Sequence, residues 1–279
     1  MWPNSARYAI VADRWFEKRG SVSAGNRIVI LVLFLAGISA SEARAESVLV
    51  AVASNFSTTA AELVREFQSV SEHELQISSA STGKLFAQIS NGAPFDVLLA
   101  ADAVRPERLA SNGLGVPDSR FTYAIGRLVL WSRDPKLGDS TCRQRLENLG
   151  ADRLAIANPN TAPYGAAARQ MLKQLGLWDR VRPRLVMGEN ITQTLQFVAT
   201  GNASLGFVAL SQIGNKNLSE ASCSWVIEPT MHDAIEQQAI LLNRATHNAG
   251  AREFLQFLRS ESGRAIIARN GYLLAGAEA

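Results

Sequence analysis

The chain has 279 residues, 47% of them hydrophobic and 19% charged, with no internal repeat, low-complexity tract or charge block, which excludes disordered and fibrous classes. Its formal net charge of +3 arises before residue 46: residues 1–45 carry six basic and three acidic side chains, leaving 22 of each in the remainder. That balance gives no electrostatic footprint for nucleic acid or for an anionic membrane surface.

The first element is an apolar run of 13 residues, Ile28 to Ala40, with Arg27 before it and the small-x-small pattern Ala43-Arg44-Ala45 after it. It is too short for a membrane span, which needs about 20 residues, and reads as a secretory signal peptide cleaved after Ala45. The segment before it is long for such a leader, so the start codon is expected further in. No cysteine precedes Cys142, so a soluble periplasmic protein without a lipid anchor is expected. In an oxidising compartment Cys142 and Cys223 are free to pair, but their separation is not readable from sequence, and two buried thiols account for them equally well.

From Ser47 the run VLVAVA reads as a strand ending at Ser54-Asn55. Ser57 to Val70 follows as a helix, with Ala60, Leu63, Val64 and Phe67 on one face. Leu75 to Ala80 is a second strand, Ser81-Thr82-Gly83 a turn, Lys84 to Ser90 a short helix, and Asp96 to Ala101 a third strand. Phe121 to Ser132 reads as one long strand interrupted at Gly126, followed by a helical stretch from Cys142 to Leu149. The first pattern then recurs: strand Leu154–Ala157, loop Asn158–Tyr164, helix Gly165–Leu177, strand Leu185–Gly188, cap Glu189-Asn190, helix Ile191–Thr200 and strand Ser204–Leu210. A last strand, Ala234–Leu242, and a single C-terminal helix, Ala251–Arg269, complete the chain. Strands alternating with helices in two blocks imply an α/β class with two open, mostly parallel sheets.

Four polar junctions stand between a strand and a helix: Ser54-Asn55, Ser81-Thr82-Gly83, Pro163-Tyr164-Gly165 and Glu189-Asn190-Ile191. In open α/β sheets ligands sit at the carboxyl ends of strands, where helix N-termini offer unpaired N–H groups to an anion. Ser54, Asn55, Ser81 and Thr82 add side-chain donors, and Gly83 and Gly165 permit close backbone approach. Ordinary helix caps account for the same residues, and at this level neither account prevails.

Enzyme signatures are weak. Ser81-Thr82-Gly83-Lys84 fails as a phosphate-binding P-loop, because Ser78 stands where the first glycine belongs and Leu85 follows the lysine. His73, His232 and His247 lie in polar stretches that read as surface, and no nucleophile motif accompanies them. Asp96 and Asp102, flanking one strand, read as one cap and one solvated carboxylate.

Several segments resemble one family: VAVASNF, STGKLFAQISNGAPFDVLLAAD, RFTYAIGRLVLWS, NPNTAPYGAAA, GENITQTLQFVATGNASLGFVALSQ and FLQFLRSESGRAIIARNGY are similar to the periplasmic molybdate-binding proteins of molybdate ABC transporters. The resemblance implies two doubly wound α/β lobes joined by two crossover strands, the type II solute-binding arrangement, with lobe 1 formed by 46–127 and 234–279 and lobe 2 by 128–233. It implies one dehydrated oxyanion, molybdate or tungstate, in the cleft, with no cofactor, no catalysis and no protein ligand to the metal itself. The partner it implies is an inner-membrane ABC permease, served by a monomer.

Carried over by motif, the ligand set is Ser54 and Asn55; Thr82 with Ser81 beside it as the alternative; Tyr164 through its N–H in the Pro-x-Gly turn; and Ile191 through its N–H. Some members have a ligand tyrosine where this chain has Ala209, and the resemblance implies that Tyr164 supplies that hydroxyl. The competing expectations are a binding protein for another oxyanion such as sulfate, and an exported α/β enzyme acting on a phosphorylated or sulfated substrate.

Overall fold

A computed structural model describes residues 45–135, 141–219 and 221–276, with the side chains of 215–220 left out of that description. The expected signal peptide lies outside the described residues, Ala45 excepted.

Two five-stranded sheets form the scaffold. The first contains β1 (Ser47–Ala53), β2 (Glu74–Ala80), β3 (Val97–Leu99), β4 (Phe121–Gly126) and β10 (Ile235–Leu241), in the order β2-β1-β3-β10-β4. The second contains β5 (Leu128–Ser132), β6 (Leu154–Ala157), β7 (Leu185–Gly188), β8 (Leu205–Ala209) and β9 (Cys223–Val226), in the order β7-β6-β8-β5-β9.

Each sheet is mixed: β1 pairs in parallel with β2 and β3, while β10 runs antiparallel to β3 and β4. The second sheet repeats this, with β6 parallel to β7 and β8, and β5 antiparallel to β8 and β9. The expectation of mostly parallel sheets is corrected on this point. In each sheet a strand that arrives from the other lobe, β10 or β5, inserts with reversed direction.

Helices cover both faces. In the first lobe these are α1 (Ser57–Ser69), α2 (Thr82–Ser90), α3 (Val104–Ser111), α9 (Ala249–Arg259) and α10 (Glu261–Arg269). The second carries α4 (Cys142–Glu147), α5 (Pro163–Gln174), α6 (Trp178–Val181), α7 (Ile191–Ala199) and α8 (Leu210–Ser219), the last broken at Gly214. Coverage on both sides explains the unbroken apolar runs. Along β1, Val48, Val50 and Val52 enter one core with Leu63, Phe67 and Phe254, while Ala51 enters another with Leu85, Leu98 and Leu109. In β5, Leu128 and Leu130 face one core and Val129 and Trp131 the other.

The expected long strand 121–132 is two strands in different sheets. Gly126 pairs with Ile235 in the first, Leu128 pairs with Ala209 in the second, and Arg127 is the point of passage. A side chain at Gly126 would overlap the Tyr164 hydroxyl, so the crossing point is a glycine for steric reasons. The return connection runs from β9 to β10 through a 3-10 turn at Pro229–Met231. The expected single C-terminal helix breaks at Ser260, whose extended backbone ends α9 and whose hydroxyl caps α10 by accepting from the Gly263 N–H at 3.1 Å. Helices α3, α6 and α8 and strand β9 fall outside the elements expected from the sequence.

Cys142 and Cys223 form a disulfide, with Cα atoms 5.3 Å apart, tying α4 to β9 inside the second lobe. His73 is buried rather than at the surface: its Nδ1 accepts from the Glu46 N–H at 3.1 Å and its Nε2 lies 3.4 Å from Glu253. Neither flanking carboxylate stands free in solvent: Asp96 is buried and Asp102 partly so. Asp96 accepts from the Leu49 N–H at 2.7 Å and pairs with Arg244 at 2.6 Å, while Asp102 accepts from the Arg105 N–H at 2.9 Å and pairs with that guanidinium.

Candidate oxyanion site

The carboxyl ends of β1 and β2 in one lobe and of β6 and β7 in the other converge on a single cavity. Its walls are Ala53, Ser54, Asn55, Ser81, Thr82, Ala101, Ala162, Pro163, Tyr164 and Ile191. All six residues singled out from the sequence are therefore brought together. Each is at least nine-tenths buried, and the space between them is about 10 Å³, close to the room one water molecule needs.

Local structure explains why donors gather here. Ser54 to Phe56 form a 3-10 turn directly after β1. Ser81 precedes α2 without using its hydroxyl as a cap, so that hydroxyl is not consumed by the helix it introduces. The Thr82 oxygen accepts from the Ala101 N–H at 3.0 Å, which holds the oxygen in place and leaves its own proton to donate. Pro163 opens α5, so Tyr164 at the second position has one of the N–H groups that a helix start leaves unpaired. At α7 the Asn190 side chain caps the Gln193 N–H at 3.0 Å, which leaves the Ile191 N–H at the first position facing the junction. Three helix N-termini thus meet at the cavity and favour negative charge there.

Asn55 departs from the expected role of side-chain donor. Its Nδ2 donates to Gln237 Oε1 at 2.9 Å and to the Tyr272 hydroxyl at 3.1 Å. Both amide protons are spent on the protein, which leaves the backbone N–H as the group Asn55 can offer the cavity. The Tyr164 hydroxyl accepts from Gln237 Nε2 at 3.2 Å. Burial holds the Tyr123, Tyr164 and Tyr272 hydroxyls well above the usual phenol range, so they remain protonated donors.

Among the described residues no cationic or anionic side chain lines the cavity. The nearest charges are compensated: Arg105 by Asp102, and Lys84 by Glu189 at 3.8 Å across the cleft rim. Among the described residues no group of three or more His, Cys, Asp or Glu side chains could hold a metal ion. The arrangement suits a compact anion held by neutral donors and desolvated on binding.

The lobes meet around this cavity through hydrogen bonds to main-chain carbonyls. Gly83 N–H donates to Thr161 O at 2.9 Å, and Arg105 Nη2 to Asn160 O at 3.0 Å. The Ser54 carbonyl accepts from Thr192 Oγ1 at 3.1 Å, and the Asn55 carbonyl from Ser211 Oγ at 3.3 Å. A Cβ on Gly83 would lie 2.9 Å from Thr161 Cα, so a glycine is what allows this approach. Gly165 allows a similar one within the second lobe, against the Ala157 carbonyl at the end of β6.

A model of the bacterial extracellular solute-binding proteins matches residues 48–273. The chain belongs to that family. Within the family, the molybdate-binding protein ModA of Azotobacter vinelandii is 41% identical over 243 residues, covering 87% of this chain and 96% of the relative. The ModA protein of Rhodobacter capsulatus is 39% identical over 253 residues, covering 91% and 97%. The solved structure of the Azotobacter vinelandii periplasmic molybdate-binding protein superposes with a TM-score of 0.77 at 39% identity, covering 81% of this chain and 99% of that one. The resemblance carried by the sequence segments is borne out, as is the two-lobed α/β architecture it implied.

Sequence reasoning missed the residues behind the first row: Gln237, Tyr123 and Tyr272 on the first lobe, and Thr192 and Ser211 on the second. One signal was present. Gln237 falls between Ile235 and Ala239 on the inward-facing alternation of an apolar strand, a place for a glutamine only where partners await it.

Proposed function

We propose that this protein captures molybdate, and tungstate alongside it, in the periplasm and delivers it as a monomer to an ABC permease, without catalysis. The observation that carries this reading is the convergence of Ser54, Asn55, Ser81, Thr82, Tyr164 and Ile191 from two lobes on one buried cavity free of charged side chains. Division into lobes at 46–127 with 234–279, and at 128–233, is part of the proposal. So is cleavage after Ala45.

The chemistry follows from hydrogen-bond accounting. A tetrahedral dianion accepts at every oxygen, and hydrogen bonds to charged groups contribute about 1.5 to 3 kcal/mol each. A site made of donors alone leaves the proton of hydrogen phosphate without an acceptor, at a cost of about 1 to 3 kcal/mol. Neutral donors also hold the ligand without fixed counter-charges, which suits release to a second protein.

Isothermal titration of the protein lacking residues 1–45 with molybdate, tungstate, sulfate and phosphate tests the reading. Molybdate and tungstate are expected to bind at least a hundredfold more tightly than the other two. Sulfate binding as tightly as molybdate would favour the other-oxyanion reading and overturn this one. Ser54→Ala is expected to lower molybdate affinity by about 10- to 100-fold, the worth of one charge-assisted hydrogen bond, without lowering the melting temperature.

A further inference from the structure

Behind the cavity lies a buried relay of polar side chains with a fixed direction. Its anchor is a main-chain group. The Tyr272 hydroxyl donates to the Asn55 carbonyl at 2.9 Å, and a carbonyl oxygen can only accept. With that proton committed, the Tyr272 oxygen is the acceptor toward the Asn55 side chain, so the amide atom facing it at 3.1 Å is Nδ2. The same Nδ2 faces Gln237 at 2.9 Å, which makes the Gln237 atom on that side Oε1. The Tyr123 hydroxyl lies 3.1 Å from this oxygen too. Gln237 Nε2 is thereby turned to the Tyr164 oxygen, 3.2 Å away. Both amide orientations follow from one backbone carbonyl.

The consequence falls on Tyr164. Its oxygen receives the Gln237 N–H at 3.2 Å. That bond occupies an acceptor position of the oxygen, so the phenolic proton is directed away from Gln237. Gln237 is completely buried, and it sits where the register of β10 against β4 shifts between Gln237 and Gln238. Gln237 keeps the inward alternation of β10, and its Nε2 lies beside the interlobe crossing at Gly126.

We propose that Gln237 is a positioning residue for anion selectivity: by donating to the Tyr164 oxygen it reserves the Tyr164 proton for the bound oxyanion, and so makes the site reject anions that carry a proton of their own. This rests on the oxyanion-binding reading above. The residue touches no ligand and acts through Tyr164.

Gln237→Glu tests it, because a carboxylate can only accept. Asn55 still donates to one carboxylate oxygen, Tyr164 turns to donate to the other, and a phenolic lone pair is left toward the cavity. Molybdate and hydrogen phosphate are both dianions at about pH 8.5, so repulsion by the added charge weakens both and cancels in the ratio of their affinities. Isothermal titration is expected to show the molybdate-over-phosphate ratio falling about tenfold in Gln237→Glu, the worth of one hydrogen bond. In a Tyr164→Phe background the same substitution is expected to leave the ratio unchanged, which a merely structural role for Gln237 would not produce.

Should the buried carboxylate prevent folding, Gln237→Met carries the test. It removes the donor without adding charge, frees the Tyr164 hydroxyl to turn, and is expected to lower the ratio several-fold. Wild-type protein that binds molybdate, with an unchanged ratio in the folded Gln237 variant, overturns the inference alone. An equal fall with and without the Tyr164 hydroxyl overturns it as well. Wild-type protein that fails to bind molybdate overturns the functional reading and the inference with it.

Discussion

Gly83→Ala places one methyl group between the lobes, and its effect can be worked from the contacts. The new Cβ would stand 2.9 Å from Thr161 Cα, 3.0 Å from Thr161 O and 3.1 Å from Arg105 Nη2, against ordinary contacts of 3.4 to 4 Å. Two of the three neighbours are main-chain atoms of the opposite lobe and cannot rotate away. Relief requires the lobes to part by roughly 0.5 to 1 Å at this point, which stretches the Gly83 N–H to Thr161 O bond of 2.9 Å. Overpacking costs about 1 to 3 kcal/mol, and loss of that hydrogen bond about 0.5 to 1.5 kcal/mol. Together the closed form is destabilised by about 2 to 4 kcal/mol, which lowers ligand affinity by roughly 30- to 1,000-fold. The penalty is specific to closure, since in separated lobes the methyl meets no Thr161. Within α2, alanine is favoured over glycine by about 0.5 to 1 kcal/mol, so the melting temperature without ligand should hold or rise. Titration calorimetry with molybdate, beside thermal unfolding of the same sample, reads both quantities. Affinity within threefold of wild type would refute the argument that this glycine admits closure.

Two further outcomes follow from the packing. The chain has four tyrosines, and Tyr8 lies before residue 46, so Tyr123, Tyr164 and Tyr272 are the full set from residue 46 onward. Each has its hydroxyl pushed up by burial, so the folded state keeps protons that the unfolded state loses above about pH 10. Their contribution to stability is fully present below that pH and is lost as pH rises further, at about 1.4 kcal/mol per pH unit for each tyrosine. Urea midpoints should be flat in this respect up to about pH 10 and then fall, with tyrosinate absorbance appearing together with unfolding; a tyrosinate signal near pH 10 from folded protein would contradict the burial. The Cys142–Cys223 disulfide spans 81 positions, and the chain-entropy model gives its loss a cost of about 4 to 5 kcal/mol. Cys142→Ala with Cys223→Ala should therefore lower the melting temperature by roughly 10 °C or more while molybdate affinity stays within about twofold.

The first row of the site was legible because each member follows a strand and opens a helix, a pattern set by local chemistry. The four junctions appear in the sequence as short polar breaks between apolar runs, and the fold superimposes them. What could not be read was anything decided by partners distant in the chain. Asn55 looks like a side-chain donor until Gln237 and Tyr272, 182 and 217 positions away, consume its amide protons. His73 looks like a surface residue in a polar stretch until Glu46 and Glu253 close over it. The strand 121–132 has continuous periodicity, and only the location of its partners, β10 on one side of Arg127 and β8 on the other, divides it.

The order of strands also bears on how the molecule is made. The five strands of the second sheet all lie between residues 128 and 226, so that sheet has every member before β10 is synthesised. The first sheet does not, because β10 belongs between β3 and β4 and pairs Leu241 with Val97, 144 positions earlier. Synthesis runs from the N-terminus, and contacts of such separation close slowly. The earlier-made lobe is thus the later to finish, sealed by a wedge drawn from the end of the chain. Gln237 and Tyr272 arrive with that wedge, so the four polar junctions are made before the side chains that hydrogen-bond to Asn55 and Tyr164 from behind.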